Sequence, residues 1–333
     1  MAEEDCGDDR ERAGNHRLSH RLSPIREALP STACGRGDYV RRFAIVIASN
    51  NQSGPIGIFD SGLGGLSVLR HIQQALPHED LLYVADAGYA PYGGRPEHEI
   101  VARTVTVTEF LLKKGAKALV VACNTATAAA IKGVREVHPE LPVVGVEPGL
   151  KPAAALTRSG VVGVMATAFT LRSQKFAQLH EQITQATGVR FLPQPCVGLV
   201  DLIEQGDLNA PAIAAMVEQY VSPLLALGAD TIVLGCTHYP FVQHLIEASI
   251  HHALRNDVAI VDTGDAVARQ LVRLLDQRGL KRGDGKTGSV EGFTTGELSR
   301  LAGAFTHLLK MQAEVSRIEL KDALSLTATA NQV

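Results

Sequence analysis

The sequence predicts an α/β protein of two pseudo-symmetric, doubly wound parallel-sheet lobes, with the active site in the cleft between them. Two observations predict it. From residue 55 onward, short apolar runs alternate with segments of helical period. Two of those runs, in ALVVACNTAT (Ala118–Thr127) and TIVLGCTHYP (Thr231–Pro240), stop abruptly at a cysteine followed by small polar residues. A run of that kind reads as a buried parallel strand whose carboxyl end opens into a loop. In α/β sheets, ligands bind at those carboxyl ends.

The first lobe is expected over residues 55–150. IGIFD (Ile56–Asp60) is a short strand, and SGLGGLSVLRHIQQAL turns through glycines into a helix with Leu66, Leu69, Ile72 and Leu76 at helical spacing. Asp60 and Ser61 sit at the strand-to-helix switch. A dinucleotide fingerprint starting at Gly62 would need glycine where Ser67 stands, so that reading fails. The glycines instead suit a tight turn or the close approach of backbone to a small ligand. Leu81–Asp86 is a second strand ending in an acid, and Ala87–Pro96 is a loop of Gly, Pro and Tyr. Glu97–Lys114 reads as a helix. Strand Ala118–Ala122 delivers Cys123, a helix follows over Thr125–Val137, and Pro142–Glu147 is a further strand.

The second lobe is expected over 151–257. Val161–Ala166 is a strand, followed by Thr167-Ala168-Phe169-Thr170 and a helix from about Leu171 to Ala186. Val189–Pro193 is a strand. Val197–Glu204 is a short helix with Glu204 placed to point back at the cleft, and Ala210–Leu227 is a longer one. Strand Thr231–Leu234 delivers Cys236. Val258–Thr263 is a strand, Gly264–Arg278 a helix and Ser289–Thr295 a last strand before a helix from Glu297. Residues 258–320 are expected to return to the first lobe. Right-handed crossovers then bring every loop that follows a strand to one edge of its sheet.

Residues 1–54 differ from the rest. Met1–Arg12 is dense in Asp, Glu and Arg, the segment as a whole shows no clear periodicity, and it is expected to be a disordered extension.

Composition excludes several classes. The 333 residues suffice for about two domains. A net charge of −3 gives no basic footprint for nucleic acid, and the absence of Trp removes one stacking surface. Five cysteines at wide spacing make no disulfide framework, and without C-x-x-C a structural zinc site has no anchor. Free thiols fit a reducing cytoplasm. No apolar run approaches the ~20 residues of a membrane helix.

One such cysteine alone reads equally well as a buried structural residue. Two at matching strand ends point to a working pair. A cysteine at a helix start can serve as base or nucleophile. Inverting a carbon centre needs a base on one face and an acid on the other, and a thiol–thiolate pair supplies both. Asp60, Asp86, Glu204 and His238 are the candidate groups for tuning the thiols; each acid also suits a plain capping role. Asn124, Thr125, Thr237 and His238 follow the cysteines and can hydrogen-bond a small polar ligand. Other thiol chemistries fit less well. A phosphatase loop needs Arg where Ala129 and Val242 stand, and zinc at Cys236 and His238 lacks further ligands. Cys–His acyl transfer and a non-catalytic two-lobed binding protein remain open.

These motifs together resemble the glutamate racemases of the cofactor-independent aspartate/glutamate racemase superfamily. FDSGLGG (Phe59–Gly65), PYG (Pro91–Gly93), ACNTA (Ala122–Ala126) and LGCTHYP (Leu234–Pro240) carry the resemblance; VEPGLKPA (Val146–Ala153) and the threonines at 167 and 170 agree. It covers about residues 55–310 in consistent order. It implies interconversion of L- and D-glutamate, supplying D-glutamate for peptidoglycan. It implies Cys123 acting on the D enantiomer and Cys236 on the L enantiomer, supported by Asp60, Asp86, Glu204 and His238. It implies substrate contacts at Asp60, Ser61, Tyr92, Gly93, Asn124, Thr125, Thr237 and His238. No metal or cofactor is implied, and the expected setting is a cytoplasmic homodimer. An aspartate-specific racemase stays open on substrate size. Phe169 departs from the family pattern, where a smaller residue is usual.

Overall fold

The computed structural model describes residues 52–283 and 285–320. The expected extension therefore lies outside the described residues, apart from its last three.

In chain order the first lobe opens with β1 (Ile56–Asp60), α1 (Leu66–Ala75), β2 (Leu81–Ala85), α2 (Glu97–Lys113), β3 (Ala118–Val121), α3 (Asn124–Val137) and β4 (Val143–Gly145). A short helix α4 (Leu150–Leu156) leads to β5 (Val161–Ala166), α5 (Ala168–Arg172), α6 (Gln174–Thr187), β6 (Arg190–Pro195), α7 (Leu199–Glu204) and α8 (Pro211–Ala226). Then come β7 (Thr231–Gly235), α9 (Gln243–His252), β8 (Ala259–Val261), α10 (Gly264–Gln277), β9 (Val290–Thr294), α11 (Leu298–Leu309) and β10 (Glu314–Arg317).

The strands form two all-parallel sheets, ordered β10-β9-β2-β1-β3-β4 and β6-β5-β7-β8. Within the larger sheet, β2-β1-β3-β4 repeats the order of the whole smaller sheet. The two halves of the chain therefore fold on one plan. In each, the chain steps from its first strand to one side and then crosses to the other. Between β1 and β3, and between β5 and β7, adjacent loops diverge and leave a crevice at the carboxyl ends.

The apolar character of the strands follows from covering both faces. Ile56, Ile58, Val120 and Ala122 face a cluster with Leu66, Leu69, Val267, Leu271 and Phe305, from α1, α10 and α11. The alternate residues Phe59, Leu119 and Val121 face Val107, Leu111 and Ile131, from α2 and α3. In the smaller sheet, Ile232 and Leu234 pack with α7, α8 and α9, and Val162, Val164 and Val233 against α4 and α6. Each such Leu, Ile or Val contributes roughly 1.5–3 kcal/mol by its burial.

Four details differ from the sequence reading. Strand β8 pairs with β7, so the strand at 258–263 belongs to the second sheet. The chain rejoins the first lobe with α10, which packs on α1. An apolar run marks a strand but not the sheet it joins. The helix expected from Leu171 is divided at Ser173, whose hydroxyl caps α6 by accepting from Phe176 N. The short α4 and the edge strand β10 carry too little periodicity to be foreseen.

Candidate active site

The β1–α1 turn is the hinge of the site. Asp60 ends β1 and is wholly buried. Its Oδ2 accepts from Gly62 N at 3.1 Å, and its Oδ1 accepts from Thr237 Oγ1 of the other lobe at 3.4 Å. Gly62 and Gly64 are needed here because of what lies against them. A Cβ on Gly62 would collide with the Glu204 carboxylate, and one on Gly64 with the His238 ring and Thr237 Oγ1. The turn is thus glycine-rich so that the second lobe can close on it. Ser67 Oγ spans the same junction, 2.9 Å from the Thr237 carbonyl.

Cys123 caps α3, its sulfur accepting from Ala126 N at 3.5 Å. Ser61 Oγ lies 3.6 Å from the same sulfur. The thiol is only 6 % exposed. Burial first, then the nearby Asp60 charge, pushes its pKa up to about 12, against the opposing pull of the Ala126 and Ser61 hydrogen bonds. Burial likewise raises the Asp60 carboxyl, opposed by the charge on His238 and the Gly62 N–H.

Cys236 is also buried, 7 % exposed, and it sits in a different setting. His238 Nδ1 lies 3.6 Å from its sulfur, and His238 Nε2 lies 2.6 Å from Glu204 Oε1. Glu204, at the end of α7, also accepts from Leu63 N at 2.7 Å. Burial disfavours charge on the ring, but its bonds to Cys236 and Glu204 outweigh this and raise the His238 pKa well above the usual imidazole value. Burial opposes charge on Glu204 too, and its bonds to His238 and Leu63 win, lowering its pKa. Cys236 is close enough to Cys123 to add, after the causes above, to the rise in its pKa.

Asn124 and Thr125 open α3 and are both buried. Neither amide atom of Asn124 has a hydrogen-bond partner among the described residues. An unpaired buried amide costs about 1–3 kcal/mol per group, which a polar ligand lying against it would offset. Thr125 Oγ1 lies 3.1 Å from Thr167 Oγ1, which follows β5 in the other lobe. Gly93 packs against that same Thr167. A shallow cleft open to solvent, lined among others by Thr127, Val146, Glu147, Thr170 and Phe176, meets the site only through Asn124.

The remaining acid is placed differently. Asp86 is wholly buried, but its oxygens are taken by a two-pronged bond from Arg103 at 2.7 and 3.0 Å, by Tyr92 Oη at 2.5 Å and by Thr295 Oγ1 at 2.9 Å. Its carboxylate therefore holds Tyr92, and the Asp60, Glu204 and His238 side chains gather around the thiols without it. Arg103 and Thr295 were not singled out by sequence. Arg103 lies in the apolar stretch of a helix, and a buried cation there signals a buried anion to meet it.

Among the described residues, no cluster of three or more His, Cys, Asp or Glu side chains is arranged to hold a metal ion, and no helix is long and apolar enough to cross a membrane.

A family model described as Asp/Glu/Hydantoin racemase matches residues 56–271. A glutamate racemase from Ectopseudomonas mendocina is 52% identical over 266 residues, covering 80% of this chain and 98% of its own. Two solved structures are similar. A glutamate racemase isoform from Bacillus anthracis is 31% identical with a TM-score of 0.73, covering 81% of this chain and 99% of its own. The Escherichia coli glutamate racemase, in complex with L-glutamate and the activator UDP-MurNAc-Ala, is 30% identical with a TM-score of 0.67, covering 79% and 97%.

Proposed function

The chain belongs to the Asp/Glu/hydantoin racemase family, and we propose that it interconverts L- and D-glutamate with Cys123 and Cys236 as the two proton-transfer groups. The observation that carries the proposal is the mirrored placement of two buried thiols in unlike surroundings.

A racemase has to remove the α proton from one face and return one to the other. In the proposed step, the Cys236 sulfur starts as thiolate beside the His238 imidazolium and takes the α proton, forming an S–H bond. The electron pair left on the α carbon spreads into the substrate carboxylate. Cys123, which begins as a thiol, breaks its S–H bond and delivers that proton to the opposite face. The product state has the thiol at 236 and the thiolate at 123, and the reverse reaction uses the same groups with exchanged roles. The raised pKa of Cys123 supports its starting as the acid. The hydrogen-bonded chain from Glu204 through His238 to the Cys236 sulfur supports that sulfur starting as the base. No cofactor enters the step.

Asn124 and Thr125 at the start of α3 are suited to a substrate carboxylate, since that helix end carries unpaired N–H groups and partial positive charge. Asp60, Ser61, Thr237 and His238 then face the amino group and α carbon, and Tyr92 and Gly93 close the far end. Asp86 serves by fixing Tyr92. The same proposal includes supply of D-glutamate for peptidoglycan, a cytoplasmic setting and a homodimer.

Polarimetry with purified protein and no added cofactor tests the activity. L-Glutamate loses its rotation completely, while L-aspartate in parallel loses little. Loss of rotation with aspartate alone would move the substrate, and none with either would refute the racemase reading.

A further inference from the structure

Tyr83 lies on β2, wholly buried behind the β1–α1 turn; its hydroxyl meets the Leu66 backbone N–H and also makes a hydrogen bond that reaches the site indirectly. Its Oη donates to the Gly62 carbonyl at 2.8 Å. That carbonyl and the Leu63 N–H belong to one peptide unit, which is planar, so fixing one orients the other. The Leu63 N–H donates to Glu204 Oε1 at 2.7 Å, Glu204 Oε1 meets His238 Nε2 at 2.6 Å, and His238 Nδ1 faces the Cys236 sulfur at 3.6 Å. A single chain of hydrogen bonds therefore runs from the larger sheet, through one peptide plane, to the thiol of the smaller sheet. Chains of this kind polarise one another, and in a buried setting each link is stronger than in water.

We propose that Tyr83 is a positioning residue for the Cys236 half of the reaction, its hydroxyl holding the Gly62–Leu63 peptide in the orientation that keeps Glu204 ionised against His238. The inference rests on the racemase reading given above. Tyr83 itself touches none of the reacting groups. Its ring is held independently by an edge contact with Phe305, with centroids 6.1 Å apart. The hydroxyl stays protonated, since burial foremost, and then the charges at Asp60, Glu204 and Cys123, raise its pKa well above the usual phenol value. The charged groups acting on Glu204 are His238, on the loop after β7, Arg300, on α11, and Asp60, at the end of β1. Tyr83 is the neutral member of that set, and it acts through the backbone.

Tyr83→Phe removes the hydroxyl and keeps the ring. With the donor gone, the Gly62–Leu63 peptide is free to turn and the Leu63 N–H bond to the Glu204 carboxylate weakens. A bond to the ionised form lowers a carboxyl pKa, so its loss raises that pKa. The expected result is about a tenfold fall in kcat with KM nearly unchanged, and an acid limb of the kcat/KM profile displaced to higher pH. Phe305→Leu, which disturbs the ring's packing alone, lowers Tm and leaves the acid limb in place. In a Glu204→Gln background, Tyr83→Phe costs little more, because the chain is already cut. Should Tyr83→Phe fail to fold, 3-fluorotyrosine introduced at Tyr83 alone keeps the bond with a more acidic donor, and the acid limb then moves to lower pH. An unmoved acid limb in the folded variant, or full additivity with Glu204→Gln, would overturn the inference while wild-type racemisation of glutamate stands. Failure of the wild-type protein to racemise glutamate would instead remove the reading on which it rests.

Discussion

Cys123 and Cys236 occupy the same place in two sheets of the same plan: each follows the strand that lies just across the switch from the first strand of its half. Their neighbours are not equivalent. Cys123 has Ser61 and Asp60, whereas Cys236 has the His238–Glu204 pair. A mirrored pair with unequal partners suits a reaction whose two faces are chemically alike but whose resting state must choose one acid and one base. Cys123→Ala and Cys236→Ala are each expected to lower kcat by about 10³-fold or more, the scale of a lost general acid or base. Full activity in either single variant would show that its thiol takes no part.

The His238–Glu204 pair makes a pH-dependent contribution to stability. His238 is raised above its usual 6.5, so its share is fully present below that value and is lost as pH rises through the raised folded value. Glu204 is lowered from 4.5, so its share is present above 4.5 and is lost as pH falls through the lowered folded value. Glu204→Gln removes one of the two groups that favour charge on the ring, leaving Cys236 as the other, and is expected to cost about 3 kcal/mol near pH 6. Thermal unfolding at a series of pH values checks this. The gap to wild type should narrow on the alkaline side, and a gap independent of pH would contradict the assignment.

Asp86 and Arg103 form a buried ion pair with side chains 0 % and 3 % exposed. Removing one partner strands the other, at a cost of about 3–5 kcal/mol. Asp86→Asn is therefore expected to lower Tm sharply and, where folded, to raise KM more than it lowers kcat, because it frees Tyr92 rather than a thiol. A selective loss of kcat with Tm intact would place Asp86 among the proton-transfer groups instead.

Gly64→Ala tests the closeness of the two lobes. The added methyl has to displace the His238 ring and Thr237 Oγ1, and overpacking of this sort costs about 1–3 kcal/mol. A modest drop in Tm with a much larger drop in kcat is expected. Unchanged activity would mean that the second lobe can retreat without harm.

Much of this was legible in the sequence because the signals were local. The apolar runs at 118–122 and 231–235 lead straight into their cysteines, and Glu204 closes a short helix, where its carboxylate meets His238. The glycines of the β1–α1 turn suit a tight turn or the close approach of backbone to a small ligand, but what they approach is the other lobe, which only the folded chain brings near. Tyr83 was hidden for a related reason. In an apolar strand a tyrosine reads as core, and only the need of a buried hydroxyl for a partner marks it out. The sheet joined by residues 259–261 depends on pairing across the chain, which an apolar run does not encode.

The most direct measurement is the distribution of deuterium early in turnover. L-Glutamate is incubated with the protein in D₂O, and the two enantiomers are separated before a tenth of the substrate has reacted. Two thiols on opposite faces place solvent deuterium at the α carbon of the D product and leave the recovered L substrate almost wholly protiated. Equal deuterium in product and recovered substrate would show that one group serves both faces, and would contradict the two-thiol account.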